Sequence, residues 1–223
     1  MSPGDRRRRA VLVALGLALG GVGWGFVSAW TAPGLYDALL PAGSFARELV
    51  GSYVVQPGFA VLAGVYLVLR EHPKRFVRLG RPSAEGLAWI ALGPLLGAGA
   101  GWVGETLLGT SHAGGAPEWE AMLSAPWTIP LVLGVVFGVM APMEELLYRG
   151  VIHGRLREAF GTWPVVLIGA ALFGLMHVFL SGGLPSFVTT GLIGLGFGLA
   201  YERTDNLVVP IGMHGGIWLT APL

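Results

Sequence analysis

Thr128-Ile-Pro-Leu-Val-Leu-Gly-Val-Val-Phe-Gly-Val-Met-Ala-Pro-Met-Glu144-Glu145-Leu-Leu-Tyr-Arg149 runs almost wholly apolar as far as Met143 and then presents two adjacent carboxylates. About 20 apolar residues suffice for a helix to cross a bilayer, so this stretch reads as a membrane helix with charge near one end. Two more polar anomalies follow inside apolar runs, His177 in Phe173-Gly-Leu-Met-His177 and His214 in Ile211-Gly-Met-His214-Gly-Gly-Ile-Trp218. Ionisable groups within hydrocarbon-length segments are costly and point to function by default.

Working outward, the whole chain has the same oily character. Its 223 residues are 53% hydrophobic and 12% charged, about half the charge of an ordinary soluble domain. The reading is an all-α, polytopic helical bundle of about seven transmembrane helices, at roughly 10–30, 49–69, 86–107, 128–148, 163–182, 186–201 and 207–222. The first apolar core is longer than a signal-peptide h-region, so it reads as an uncleaved helix. One membrane domain covers 1–223, with three helices and an external loop in 1–127 and the motif-bearing core in 128–223. A net charge of +1 gives no sign of a nucleic-acid partner, and the absence of cysteine removes disulfides, thiolate metal sites and a thiol nucleophile.

The loop charges alternate. Arg6 to Arg9 precede the first helix, Arg70, Lys74, Arg75, Arg78 and Arg81 lie in 70–85, and Arg149, Arg155 and Arg157 in 149–162. The opposite loops hold only Arg47. The positive-inside rule then places the N-terminus in the cytoplasm and, with seven spans, the C-terminus outside. The polar, turn-rich 108–127 segment reads as an external loop with a short surface helix. Glycines four apart (Gly16/Gly20, Gly21/Gly25, Gly97/Gly101, Gly134/Gly138 and Gly194/Gly198) mark sites of close helix approach.

The polar residues share a depth. Glu145 lies 16 residues before Gly161 and His177 lies 16 after it, so on an antiparallel hairpin both stand about 24 Å from the turn. His214 approaches the same zone, about 14 Å beyond the Asp205-Asn206 turn. Pro142 and Pro210 free the carbonyls of Gly138 and Asn206 beside this cluster, where a water-filled cavity would satisfy them. Glu145 and Arg149 have the favourable i,i+4 spacing of an ion pair. Glu144 points about 100° away around the helix and is the freer carboxylate. His177 and His214 each also fit a helix–helix hydrogen bond, and Phe173 fits packing. His72, His112 and His153 read as solvated.

Several chemistries are excluded by their signatures. None of the five histidines is followed by Glu, so there is no His-Glu-x-x-His zinc helix. A Gly-x-Ser-x-Gly elbow is missing, and Asp37 and Asp205 read as loop residues rather than a membrane dyad. A glutamate base with imidazole support remains: Glu144 takes a proton from water, His177 helps hold that water, and His214 donates to the oxyanion.

Glu144-Glu145-x-x-x-Arg149, Phe173-x-x-x-His177 and His214 resemble, in order and spacing, the motifs of the CPBP (Abi) family, which includes type II CAAX prenyl endopeptidases and bacteriocin-processing or immunity proteins. The resemblance covers mainly 128–222. It implies an intramembrane endopeptidase with Glu144 as base, His177 as its partner on the water and His214 as oxyanion donor, Glu145 as a further catalytic residue, and Arg149, Phe173 and Trp218 in support. It also admits a metal: a Glu and two His could hold zinc, though the carboxylate–imidazole scheme requires no cofactor. The family usually places Asn four residues after the last histidine; here that position is Trp218, and Asn206 is the only asparagine. The expected partners are the lipid bilayer and a small membrane protein or peptide as substrate, in a multi-pass protein of the plasma membrane. A non-catalytic immunity or scaffold protein is the alternative, and a transporter ranks third because the polar anomalies occupy only the C-terminal half.

Overall fold

The computed structural model describes residues 2–71, 73–109 and 123–218. It is an all-α polytopic membrane bundle. Helix α1 (Pro3–Leu39) leads into α2 (Phe45–Tyr53) and α3 (Gln56–Val68), then α4 (Ala84–Leu108), α5 (Thr128–Arg157), α6 (Thr162–Leu180), α7 (Gly183–Thr204) and α8 (Val208–Trp218). Helices α1, α4, α5, α6 and α7 are each long and apolar enough to cross a bilayer, and α2 with α3, bent by 40°, makes a sixth crossing if taken as one. The expected seventh span is described only to Trp218. Its 11 residues reach about 16 Å, short of the roughly 30 Å hydrocarbon core. Large apolar side chains on the outer faces, such as Trp30, Trp102 and Leu95, are exposed in the isolated chain, as lipid-facing residues must be.

Three apolar clusters hold the bundle. One joins α1, α3, α5 and α6 through residues such as Ala14, Phe59, Leu147 and Leu172. A second joins α4, α7 and α8 through Ala100, Phe197 and Met213. The third packs α2 and α8 on α5 through Val132, Val136 and Met140. Helix spacing is closest where a side chain is missing. A Cβ on Gly93 would stand 2.7 Å from the Cα of Met213, and one on Gly174 would stand 2.8 Å from the Phe187 carbonyl. Backbone cannot yield as a side chain can, so these two glycines set the α4–α8 and α6–α7 distances. Of the spaced glycines singled out above, Gly21/Gly25 and Gly194/Gly198 do meet neighbours. Gly16, Gly101, Gly134 and Gly138 face open space. Spacing shows where an approach is possible, not whether a partner helix takes it.

Helix α5 is unbroken but irregular. The Ala141 N–H bonds to Val136 O, five residues back, making Val136–Met140 π-helical, and Leu146–Ile152 is π-helical too. The missing Pro142 N–H is thus absorbed by a wider turn just before it. Such bulges concentrate at functional positions, and Glu144 and Glu145 lie on the short α-helical piece between the two. Pro210 behaves differently from the expectation: the Asn206 carbonyl is not left free but accepts from Val209 N–H at 3.1 Å.

Beyond the spans, the α7–α8 turn is clamped. Asp205 takes a left-handed conformation (φ 49°) that ends α7. Its carboxylate pairs with Arg78 and, at 3.0 Å, with Arg157. Burial raises the Asp205 carboxyl, but the two guanidiniums outweigh it and hold it below its ordinary range. Asn206 bonds both backbone groups of Gly80, accepting from N–H at 3.2 Å and donating to C=O at 2.9 Å. Asn206 is therefore a structural tie. His153, expected to be solvated, is 2% exposed and lies 2.6 Å from Glu202 Oε1, which Arg157 also bonds. Amphipathic spacing suggested a surface there; a partner 49 residues away buries it. Asp37, read as a loop residue, sits in the last turns of α1 and pairs with Arg47 at 2.5 Å. His72 and His112, and most of the 108–127 segment with its expected surface helix, lie outside the described residues.

Candidate active site

Helices α3, α5, α6 and α8 bring polar groups to one level inside the bundle. Glu145 is 0% exposed and Glu144 5%. Being adjacent on α5, they diverge by about 100° and find different partners. Glu145 Oε1 accepts from Arg149 Nη1 at 3.1 Å, one turn on, and stands 2.9 Å from His214 Nδ1 on α8. Glu144 Oε1 accepts from Gln56 Nε2 on α3 at 3.0 Å, while its Oε2 lies 4.0 Å from His214 Nε2. The His214 ring therefore spans both carboxylates. The Oε2 atoms of both glutamates, Gln56 Oε1 and the Tyr148 hydroxyl are buried without a hydrogen-bond partner. Buried polar atoms are rarely orphaned, and these four belong to residues of one neighbourhood.

Arg149 is anchored on three sides. Besides Glu145, its Nη2 donates to Gly194 O at 3.2 Å, and its guanidinium lies 4.4 Å from the Phe173 ring centre and 5.1 Å from that of Phe197. A Cβ at position 194 would stand 3.3 Å from Arg149 Nη2 and 3.2 Å from the Ala170 Cα, so the glycine is what admits the guanidinium. Cation–π contacts of a desolvated Arg strengthen this seat.

Phe173 is the hub of the aromatic side. Its ring meets Tyr148 at 5.1 Å, His177 at 4.7 Å and His214 at 6.1 Å between centroids. His177 Nδ1 lies 2.9 Å from the Phe173 carbonyl, which can only accept, so this nitrogen carries the proton. By the same argument the Glu145 carboxylate fixes a proton on Nδ1 of His214. Both imidazoles thus turn Nε2 away from their anchors. Zinc-binding histidines are anchored in this way, yet among the described residues no three His, Asp or Glu side chains stand close enough together to hold a metal ion. The residues as placed do not fit one.

Comparison with known proteins agrees with the motif-bearing region. The family model of type II CAAX prenyl endopeptidase, Rce1-like, matches residues 125–219. The match supports a CPBP (Abi)-type family for this region. The curated "Putative membrane peptidase YdiL" of Bacillus subtilis (strain 168) is 29% identical over 171 residues, covering 74% of this chain and 67% of that protein. No solved structure matches. At the level of the CPBP (Abi) family these similarities support an intramembrane protease, integral to the membrane and multi-pass.

The CPBP motif residues are placed unequally. Glu144, Glu145, Arg149 and His214 form one connected cluster, and Phe173 seals it. His177 joins it through Phe173, whose carbonyl its Nδ1 bonds at 2.9 Å. Trp218 packs against Tyr53 (6.1 Å between rings) and the Val132–Val136–Met140 cluster. Its ring thus goes to packing between α2, α5 and α8. Trp218→Phe is expected to leave any turnover within about twofold, whereas Trp218→Asn should cost about 2 kcal/mol of stability, half the loss of a fully buried aromatic. Parallel melting curves and rates of the two variants check this; a faster Trp218→Asn enzyme would overturn it. Gln56, Tyr148 and Phe197 escaped the sequence reading, and Gly194 entered it only as a packing glycine, although Gln56 is a polar side chain in an apolar run and so carried a signal.

Proposed function

We propose that the chain is an intramembrane endopeptidase in which Glu144 activates water to hydrolyse a peptide bond in a small membrane protein or peptide. The observation that carries this reading is the 4.0 Å separation between Glu144 Oε2 and His214 Nε2. It is too long for a direct hydrogen bond and suits one bridging water. Glu144 takes a proton from that water as its oxygen attacks the scissile carbonyl, and returns the proton to the leaving amine. Glu145 fixes the His214 ring, so that Nε2 faces the reacting atoms; in the doubly protonated ring it donates to the oxyanion. Arg149 holds Glu145 in place. His177, its Nδ1 bonded to the Phe173 carbonyl, helps hold that water. The test compares membrane peptides of cells carrying wild type and Glu144→Gln, looking for one that accumulates uncut. Should none accumulate, the non-catalytic reading, in which the cluster serves stability, takes its place.

The proposed orientation puts the N-terminus in the cytoplasm of a plasma-membrane protein, on the strength of five basic residues in 70–85 against Arg47 alone on the opposite side. The chain lacks cysteine, so single introduced thiols report cleanly. A membrane-impermeant maleimide added to whole cells is expected to label Ala42→Cys and spare Lys74→Cys. The reverse pattern would invert the topology.

A further inference from the structure

We propose that Gln56 is a positioning residue for Glu144, so that the N-terminal helices complete the catalytic site; the inference rests on the proteolytic reading above. Gln56 is the first residue of α3, beside the bend that follows α2, and is only 5% exposed. Its amide nitrogen donates to Glu144 Oε1 at 3.0 Å. An ionised carboxylate can only accept, so the nitrogen and not the oxygen must face it. This bond occupies Oε1 and leaves Oε2, the oxygen facing His214, as the atom free to take a proton. The Gln56 carbonyl oxygen has no partner, and neither does Glu144 Oε2. Both are acceptors, so they repel at contact but suit a water that donates one hydrogen to each. Gln56 thus fixes which carboxylate oxygen works and offers a second acceptor to orient the water. Its position outside 125–219 means the family motifs do not contain it.

Two measurements on the full-length protein test this. The first is a stability cycle among wild type, Gln56→Met, Glu144→Met and the double variant in detergent micelles. Each single change leaves a buried polar partner orphaned, while the double removes both. The double should melt about 2–4 °C above the temperature the two singles predict by addition; strict additivity would overturn the bond whatever the activity. The second is the rate on a pool of quenched-fluorescent peptides, each with an apolar membrane-length segment, in phosphatidylcholine vesicles. On the fastest-cut peptide, Gln56→Met should lower kcat about tenfold with KM unchanged. Gln56→Asn, which keeps a shorter amide, should fall between if Gln56→Met does not fold. Wild-type kcat in both variants would overturn the positioning role and leave proteolysis standing. If wild type cuts nothing beyond the Glu144→Gln control, the proteolytic reading fails and the positioning role fails with it.

Discussion

Glu144→Gln is expected to abolish cleavage while leaving the bundle folded. The glutamine keeps the shape of the carboxylate, and its carbonyl oxygen can still accept from Gln56 Nε2, which is now 3.0 Å from Glu144 Oε1. What is lost is the lone pair basic enough to take a proton from water, an effect of about 10²–10⁴-fold for a general base. The variant should therefore reach membranes at wild-type levels and melt within about 2 °C of it, with a membrane peptide accumulating uncut. Wild-type cleavage by Glu144→Gln at equal abundance would remove Glu144 from the chemistry.

The second large effect is on stability. Arg149 and Glu145 are both buried and bonded at 3.1 Å. Such a pair is weak evidence for net stabilisation, because taking two charges out of water costs about what their attraction returns; removing one partner, however, strands the other and costs about 3–5 kcal/mol. Arg149→Met should thus lower the melting temperature by roughly 10 °C, at about 2–4 °C per kcal/mol for a chain of this size. It also orphans the Gly194 carbonyl, which Arg149 now bonds. Glu145→Leu combined with Arg149→Met should recover much of the loss, since no charge is then left unpaired. A thermal scan in micelles reads both variants against wild type. If Arg149→Met melts like wild type, the pair is not the keystone described here, and the His214 ring must be held by something else.

The spans were legible because lipid imposes a composition: a helix crossing it must be apolar for its whole width, and hydropathy records that directly. The Glu145–Arg149 ion pair was legible too, from its i,i+4 spacing. What escaped was everything decided by contact between distant segments. Gln56 and Glu144 are 88 positions apart, and nothing local tells an apolar helix's lone amide which carboxylate it will meet. The burial of His153 depends on Glu202 in the same way. The π-helical turns of α5 escaped for another reason: Pro142 announces that an N–H is missing, but whether the helix bends, frays or widens depends on how its neighbours pack. The packing of Trp218 against Tyr53 and the α2–α5 cluster depends on distant segments as well.

With Glu144, Glu145 and His214 each no more than 7% exposed, the helices must part before any peptide reaches them. For the proposed peptidase this structure would be the closed member of an equilibrium, and a substrate would bind only the open fraction, its apparent affinity scaled by that fraction. Each 1.4 kcal/mol favouring the closed form weakens apparent binding about tenfold. On the proteolytic proposal, selectivity would begin before any contact with the scissile bond: the chains cut would be those that wait at the bundle long enough, in a local concentration that the two-dimensional membrane keeps high.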